Sequence, residues 1–428
     1  LPRAEYLEGL TQGRPAFFIS YDAHTAWLNA EAMGAIGLEA GSALAAEEFV
    51  VVDPETGAPT GVIQEVVSLG GANPVMKKLR EKFPGGEALA RSLDASLLQA
   101  LGYGITTVVA PQTGLDELDT FVSAREAGGL GARVQTALFH PVGTPASELP
   151  AFEAAMDAFD DDRLRVSAIK LYVDDVIEAH TAAMLAPYSD QPEESGEILY
   201  APEAFRDLVV RLDGAGHQLF IHAIGDRGVR VALDALEHAR AVNGVRDSRH
   251  QLVHAELVAP EDQPRFAELG VTACMQPRHV LPESHGQWVK AVGPERVGYA
   301  FPWKSLQDQG ALLAFSSDWD VAEMNPLVGI YSAVTRQGLG GEAPGGWVPE
   351  ERVDLETALR AYTINGAYAN FAEHNRGSIR PGHYADLILL SKNLFEIPTH
   401  EFLETQVDFT WVGGEQVYQR ASPAPRPR

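Results

Sequence analysis

The sequence predicts an α/β protein whose parallel strands wind into a (β/α) barrel or a doubly wound sheet. Three observations predict it. Short apolar, β-like runs alternate with amphipathic helical stretches through most of the 428 residues. Hydrophobic residues make up 45% of the chain, which suits one large core with an accessory piece. No glycine-rich phosphate loop follows any strand, which weakens a nucleotide-binding reading.

In chain order, "PAFFISYD" is the first strand-like run. "HTAWLNAEAMGAIGLEAG" then reads as helix, and "EEFVVVDPETGAPTGVIQE" as a β-hairpin turning at Pro54-Glu55-Thr56-Gly57. This stretch, about residues 25–100, is expected to be an insertion covering one end of the main domain. The runs "GITTVVA", "RVQTALF", "RLRVSAIKLYV", "HQLFIHA", "HQLVHAEL", "GVTACMQ" and "GALLAFSSD" read as strands. Amphipathic helices lie between several of them. In "RGVRVALDALEHAR", Val229, Leu233 and Leu236 fall at near-helical spacing, and "PEAFRDLVVRLDGAG" is stopped by its glycines. Beyond about residue 375, "GSIRPGHYADLILLS" and "VDFTWVGGEQVYQR" are strands with turn residues. The expected division is a main domain over 1–374, a small β accessory unit over 375–420 and a disordered Pro-rich tail over 421–428.

Charge and composition exclude several partners. A formal charge of −26 repels nucleic acid and anionic membranes. One cysteine, Cys274, excludes an internal disulfide framework and a Cys-rich zinc site. No apolar run approaches the roughly 20 residues that span a bilayer. The expected partner is a small-molecule substrate, the expected setting is cytoplasmic, and a homodimer is the oligomer to test.

Four strand ends carry unusual side chains: Lys170 in "AIKLYVDD", His222 in "FIHAIGD", His254 in "LVHAEL" and Asp318 in "FSSDWD". Each has a bland account. Lys170 would pair with Asp174 or Asp175, the histidines would be satisfied in the core, and Asp318 would cap the next helix. Together they say more, because the carboxyl ends of barrel strands converge on the face where active sites sit. Two imidazoles and a carboxylate are a natural ligand set for a catalytic zinc ion with an open position.

These motifs, with "RPAFFISYDAHTAWLNAEAM", "PTGVIQE", "HAIGDRGVRVALDALE", "CMQPRH", "FSSDWDVAEMNPLVGIYSAVTR" and "GSIRPGHYADLILL", resemble the amidohydrolase superfamily. The resemblance is to the amidohydrolase-3 branch, which includes YtcJ-like proteins and N-substituted formamide deformylases, and it runs over about residues 1–420. It implies a (β/α)8 TIM-type barrel with a small β-sandwich built from both chain ends. It implies that Lys170 is the strand-4 lysine, often carboxylated to bridge two metals. His222 and His254 match the strand-5 and strand-6 ligands, and Asp318 the strand-8 aspartate. The implied activity is hydrolysis of a small amide or formamide C–N bond by metal-activated water. One or two divalent ions are implied, zinc first, with manganese or iron as alternatives. Asp318 would serve as the base, and His254 would help polarise the carbonyl.

One departure stands out. The family's first barrel strand ends in a His-x-His pair, and none occurs among the 13 histidines. On one reading this chain lacks that strand, and "AFFISYDAH" aligns downstream of it. On the other, "AFFISYDAH" is the first strand, with Asp22 and His24 as substitute ligands. Asp22 and His24 are also candidate substrate contacts, together with Gln276, His279 and Trp319. Trp319 reads equally as core. Cys274 is expected to be buried and not a nucleophile, Glu65 to satisfy backbone, and Asp226 to cap the helix that follows it. Arg336 reads as a surface ion pair or a contact for a substrate carboxylate. Two other functions remain open: a metal-poor family member with a binding role, and an esterase or cyclic amidase using the same site.

Overall fold

The computed structural model describes residues 2–20, 25–64, 66, 73–280 and 285–421. The expectations on Asp22, His24, Glu65 and the tail beyond residue 421 lie outside the described residues. The chain forms two compact units, Leu1–Ser92 with Pro141–Thr144, and Leu93–His140 with Pro145–Arg428.

The first unit holds four short antiparallel strands: β1 (Phe17–Ile19), β2 (Ala26–Leu28), β3 (Val50–Val52) and β4 (Pro59–Ile63), in the order β1-β2-β4-β3. The β3–β4 hairpin turns where its residues direct, with Asp53 Oδ1 accepting from the Glu55 and Thr56 amides. Two expectations are corrected here. Ala26–Leu28 is strand, not helix: the Asn29 side chain accepts from the Ala32 amide and starts the helix only at Ala30. Within "AFFISYD", Phe17–Ile19 does not supply a parallel barrel strand, because β1 pairs antiparallel with β2. The unit's core gathers Leu28, Ile36, Val50, Ile63 and Leu79.

The second unit is built on seven parallel strands: β5 (Thr107–Thr113), β6 (Arg133–Phe139), β7 (Leu164–Tyr172), β8 (Gln218–Ala223), β9 (Gln251–His254), β10 (Thr272–Met275) and β11 (Leu312–Phe315). Each strand pairs with the next in sequence, from β5 through β11. A doubly wound sheet would reverse its order at a switch point, so this sheet is wound as a barrel. It is a curled parallel half-barrel of the TIM type. No described strand pairs with the outer edge of β5 or of β11. Accordingly six of the seven β5 residues are only partly buried, whereas every β6 residue is buried.

Helices between the strands bury one face each. Pro202–Gly214 buries Phe205, Leu208, Val209 and Leu212, and Asp226–Asn243 buries Val229, Ala232, Leu233 and Leu236. The cap of the second helix is Gly225, not Asp226. Asp226 is the first helical residue, and its Oδ1 accepts from the Leu185 amide at 2.7 Å and the Arg227 amide at 3.0 Å. A three-stranded antiparallel sheet, β12 (Leu387–Leu390), β13 (Val407–Val412) and β14 (Glu415–Gln419), completes the unit. Val412 packs with Leu97, Leu101, Val134 and Leu164, and the buried Arg133 guanidinium pairs with Asp386 at 2.8 Å.

Candidate metal centre at the carboxyl ends of the strands

Strand register decides what faces the barrel interior. Lys170 of β7 stands beside Phe139 of β6 and Phe220 of β8, and only 2% of it is exposed. Burial lowers its pKa to about 8, against the pull of the Asp318 charge. The ammonium lies 4.5 Å from the Tyr172 ring centre and 5.4 Å from that of Phe220. The pairing with Asp174 expected of a plain structural lysine is absent. Asp174 instead accepts from the backbone amides of Ala183, Ile224 and Gly225 at 2.9–3.0 Å. Those bonds tie the end of β7 to its own following loop at Ala183 and to the turn after β8 at Ile224 and Gly225, and burial still pushes the carboxyl up to about 7. A Cβ at Gly228 would stand 2.3 Å from Asp174 Oδ2, so this turn of the "GDRG" helix must be glycine.

His222, near the end of β8, is stacked on Tyr172 with ring centres 4.4 Å apart. Its Nε2 lies 3.3 Å from the Asp175 carbonyl. A carbonyl only accepts, so that nitrogen carries the proton. The His222 and His254 ring centres are 4.6 Å apart.

His254 ends β9 with φ 76°, Ala255 follows at 46°, and Asp318 sits beyond β11 at 61°. Three non-glycine residues in the left-handed region at one rim are a concentration of backbone strain. His254 Nδ1 meets Gln276 Oε1 at 2.9 Å. The Gln276 amide nitrogen donates to Ser316 Oγ at 2.9 Å and to the Cys274 carbonyl at 3.3 Å, which fixes its oxygen toward the histidine. Burial lowers the His254 pKa to about 4, so the ring is neutral at pH 7. Its single proton sits on Nδ1, leaving the Nε2 lone pair for a ligand.

His279 comes from the short turn Pro277–Val280 after β10. Its Nδ1 is 3.4 Å from Glu256 Oε1 and its Nε2 is 3.5 Å from Asp318 Oδ2. Burial works to lower its pKa, but the Glu256 and Asp318 carboxylates outweigh burial and raise it. The His254 and His279 rings lie nearly parallel, 9° apart, with centres 5.9 Å apart.

One ligand atom from each of His254, His279 and Asp318 lies within 4.8 Å of the others. Ligand atoms at about 2.1 Å from one ion stand at most about 4.2 Å apart, so a shift of under an ångström closes the group on a metal. The donor set, two imidazoles and a carboxylate, suits a divalent ion with an open position. The group adds His279, read in the sequence as a substrate contact, to His254 and Asp318, while His222 stands beside His254. The sequence carried one signal for His279, its position four residues past the end of β10.

The remaining expectations sort themselves by burial. Gln276 is buried against His254, while Trp319 is 49% exposed beside Asp318 and is not a core residue. Cys274 is buried in β10 and burial pushes its thiol up to about 11, which leaves no nucleophile. Arg336 is neither a surface ion pair nor an exposed anchor. Its buried guanidinium donates to the carbonyls of Ala300, Phe301 and Trp347 at 2.6–3.1 Å and lies over the Trp303 ring.

A barrel-wound parallel sheet that gathers imidazoles, a carboxylate and a buried lysine at its carboxyl ends defines the class: a TIM-type barrel with a candidate metal centre. An "Amidohydrolase family" profile matches residues 2–418, and the chain belongs to that family, in its amidohydrolase-3 branch. It is similar to Protein LONG AFTER FAR-RED 3 of Arabidopsis thaliana, 31% identical over 430 residues, covering 98% of this chain and 71% of that protein. It is also similar to the N-substituted formamide deformylase of Arthrobacter pascens, 31% identical over 264 residues, covering 60% of this chain and 46% of that protein. The chain thus matches less than half of the deformylase's length. Among solved structures, an uncharacterized metal-dependent hydrolase from Pyrococcus furiosus superposes with a TM-score of 0.69 at 26% identity, covering 90% of this chain and 73% of that one.

Proposed function

We propose that this chain is a metal-dependent hydrolase that opens a small amide or formamide C–N bond with an activated water. The observation that carries the proposal is the group His254–His279–Asp318 at the carboxyl ends of the sheet. His254 and His279 would hold the ion through Nε2 and Asp318 through its carboxylate, with His222 and Lys170 beside them. A divalent ion there would supply the Lewis acidity that acidifies a water and polarises a carbonyl. Zinc is the first candidate, and manganese and iron are the alternatives.

The chain's own groups account for proton movement. Asp318, partly exposed where His254 is buried, takes the proton of the attacking water and returns it to the leaving nitrogen. With its pKa near 8, Lys170 is in part a neutral amine at neutral pH. It can add to carbon dioxide, forming an N–C bond and releasing one proton to solvent. The product carbamate places an anion where a buried cation stood, which removes a desolvation cost. The similarity to a formamide deformylase supports a small C–N substrate. A second reading, a metal-poor binding protein, draws on the outer edges of β5 and β11, which no described strand pairs, and on the lack of a His-x-His pair.

The test is metal content measured beside hydrolysis of N-substituted formamides and simple amides. About one or two ions per chain, with turnover lost to a chelator and restored by Zn²⁺, is expected. A metal-free chain, or a metal-loaded chain inactive on the whole panel, overturns the proposal.

A further inference from the structure

We infer that Glu256 is a positioning residue: its buried carboxylate holds His279 with the proton on Nδ1 and so aims Nε2 at the group it shares with His254 and Asp318. The inference rests on the reading that this group binds a metal ion.

Glu256 lies two residues beyond the end of β9 and only 6% of it is exposed. A carboxylate buried that deeply is costly unless it is paired and hydrogen-bonded. Its two oxygens point at different partners. Oε1 faces His279 Nδ1 at 3.4 Å, and Oε2 accepts from Trp288 Nε1 at 2.9 Å. The Glu256 carbonyl also accepts from the Phe301 amide at 2.6 Å. Trp288 is itself 1% exposed and packs edge-on against Trp347, so the carboxylate stands on a rigid base.

Chemistry then sets the proton. An ionised carboxylate only accepts, so the ring nitrogen facing Glu256 must be N–H, which leaves the far nitrogen as the one whose lone pair a metal ion would take in place of a proton. That far nitrogen is the one 3.5 Å from Asp318 Oδ2. A carboxylate behind a ligating imidazole fixes its tautomer and orientation and raises its basicity. The backbone explains how residues only two apart serve one site. Ala255, between them, has φ 46°, which reverses the chain so that His254 enters the group while Glu256 supports it from behind. The two imidazoles are therefore held differently, His254 by the neutral Gln276 amide and His279 by an anion.

A bland alternative is that Glu256 only anchors Trp288. The probe that separates the two is Co²⁺ alone, added to metal-stripped full chain, with affinity read by chelator competition and coordination read from its visible absorption. Glu256→Gln should weaken Co²⁺ about 10–100-fold and alter the spectrum. In a His279→Ala background the same change should have no further effect on affinity. Wild-type affinity in E256Q overturns the inference, and so does an equal loss in both backgrounds, which marks a general structural role. Where E256Q does not fold, Glu256→Asp keeps the charge but withdraws it by one methylene, with the same expected and overturning results. Failure of the underlying reading looks different: the wild-type chain would bind no Co²⁺, or His279→Ala would bind it as the wild type does.

Discussion

Replacing Gln276 with leucine removes one atom that matters to the site and keeps much of the volume. His254 is neutral at pH 7 because burial lowers its pKa to about 4, so it has one proton to place. Gln276 places it. The amide nitrogen is committed to Ser316 Oγ and the Cys274 carbonyl, leaving Oε1 to accept from His254 Nδ1 at 2.9 Å. Leucine offers no acceptor, and the ring must then either bury an unsatisfied N–H or move its proton to Nε2. The first choice costs about 1–3 kcal/mol of stability. The second removes the lone pair that a metal needs. Metal affinity should fall about 10–100-fold, the usual range for a lost outer partner of a ligand. That is about 1.4–2.7 kcal/mol of binding free energy. Equilibrium dialysis against Zn²⁺ with a competing chelator measures it, with melting curves of the metal-free chain as the stability control. Ser316→Ala, which removes only the amide's far anchor, should cost less than Gln276→Leu. Wild-type affinity in Gln276→Leu, or an equal loss in Ser316→Ala, would refute the tautomer argument.

Three other outcomes are expected. Asp318→Asn keeps the shape and loses the proton acceptor, so hydrolysis of a confirmed substrate should fall about 10²–10⁴-fold with melting nearly unchanged; unchanged turnover removes Asp318 as the base. Incubation with ¹³C-bicarbonate should give a carbamate carbon signal that Lys170→Met lacks, and its persistence in that variant would place the carbamate elsewhere. Asp213 is buried, which pushes its pKa up, but His250, Asn243 and Arg246 donate to it at 2.8–3.0 Å and hold it well below the usual carboxylate range. Its stabilising contribution is therefore complete above about pH 4 and lost as pH falls through the depressed value. Urea titrations should show Asp213→Asn less stable at pH 7 and less steep in acid, whereas an unaltered acid slope would show that this carboxylate is not the one titrating.

Much of the sheet was legible because strands buried on both faces read as continuous apolar runs. "RVQTALF" and "HQLFIHA" appear in the fold as β6 and β8 almost residue for residue. An ionisable side chain inside such a run is conspicuous, which is why Lys170, His222 and His254 stood out. Glu256 did not, and His279 stood out only as a candidate substrate contact, for a shared reason. Both lie past strand ends, among residues that look like ordinary loop, and only the turn after β10 and the left-handed Ala255 bring them under the barrel rim. Arg336 misled for the opposite reason: a cation on a helical pattern suggests solvent, but three carbonyls and a tryptophan face satisfy it inside. Ala26–Leu28 read as helix because the Asn29 cap that ends the strand was taken into the helical window.

What periodicity could not weigh is cost, and three of the eleven left-handed non-glycine residues among those described lie at this rim beside two buried ionisable groups. The left-handed φ angles of His254, Ala255 and Asp318 cost on the order of 1–3 kcal/mol each. Buried Lys170 and Glu256 add desolvation to that. None of these features improves the packing of a barrel, and apolar residues at Lys170 and Glu256 with relaxed turns beyond β9 and β11 would make a more stable sheet. A chain keeps such costs in one place when the same groups must meet a ligand there. The arrangement of protons agrees. Gln276 Oε1 accepts from His254 Nδ1 and Glu256 Oε1 faces His279 Nδ1, so the Nε2 of each ring is the nitrogen left for a ligand, and that of His279 lies 3.5 Å from Asp318 Oδ2. The strain, the buried charges and the setting of the two rings thus meet at one group, His254, His279 and Asp318, and the divalent ion proposed for it would offset all three.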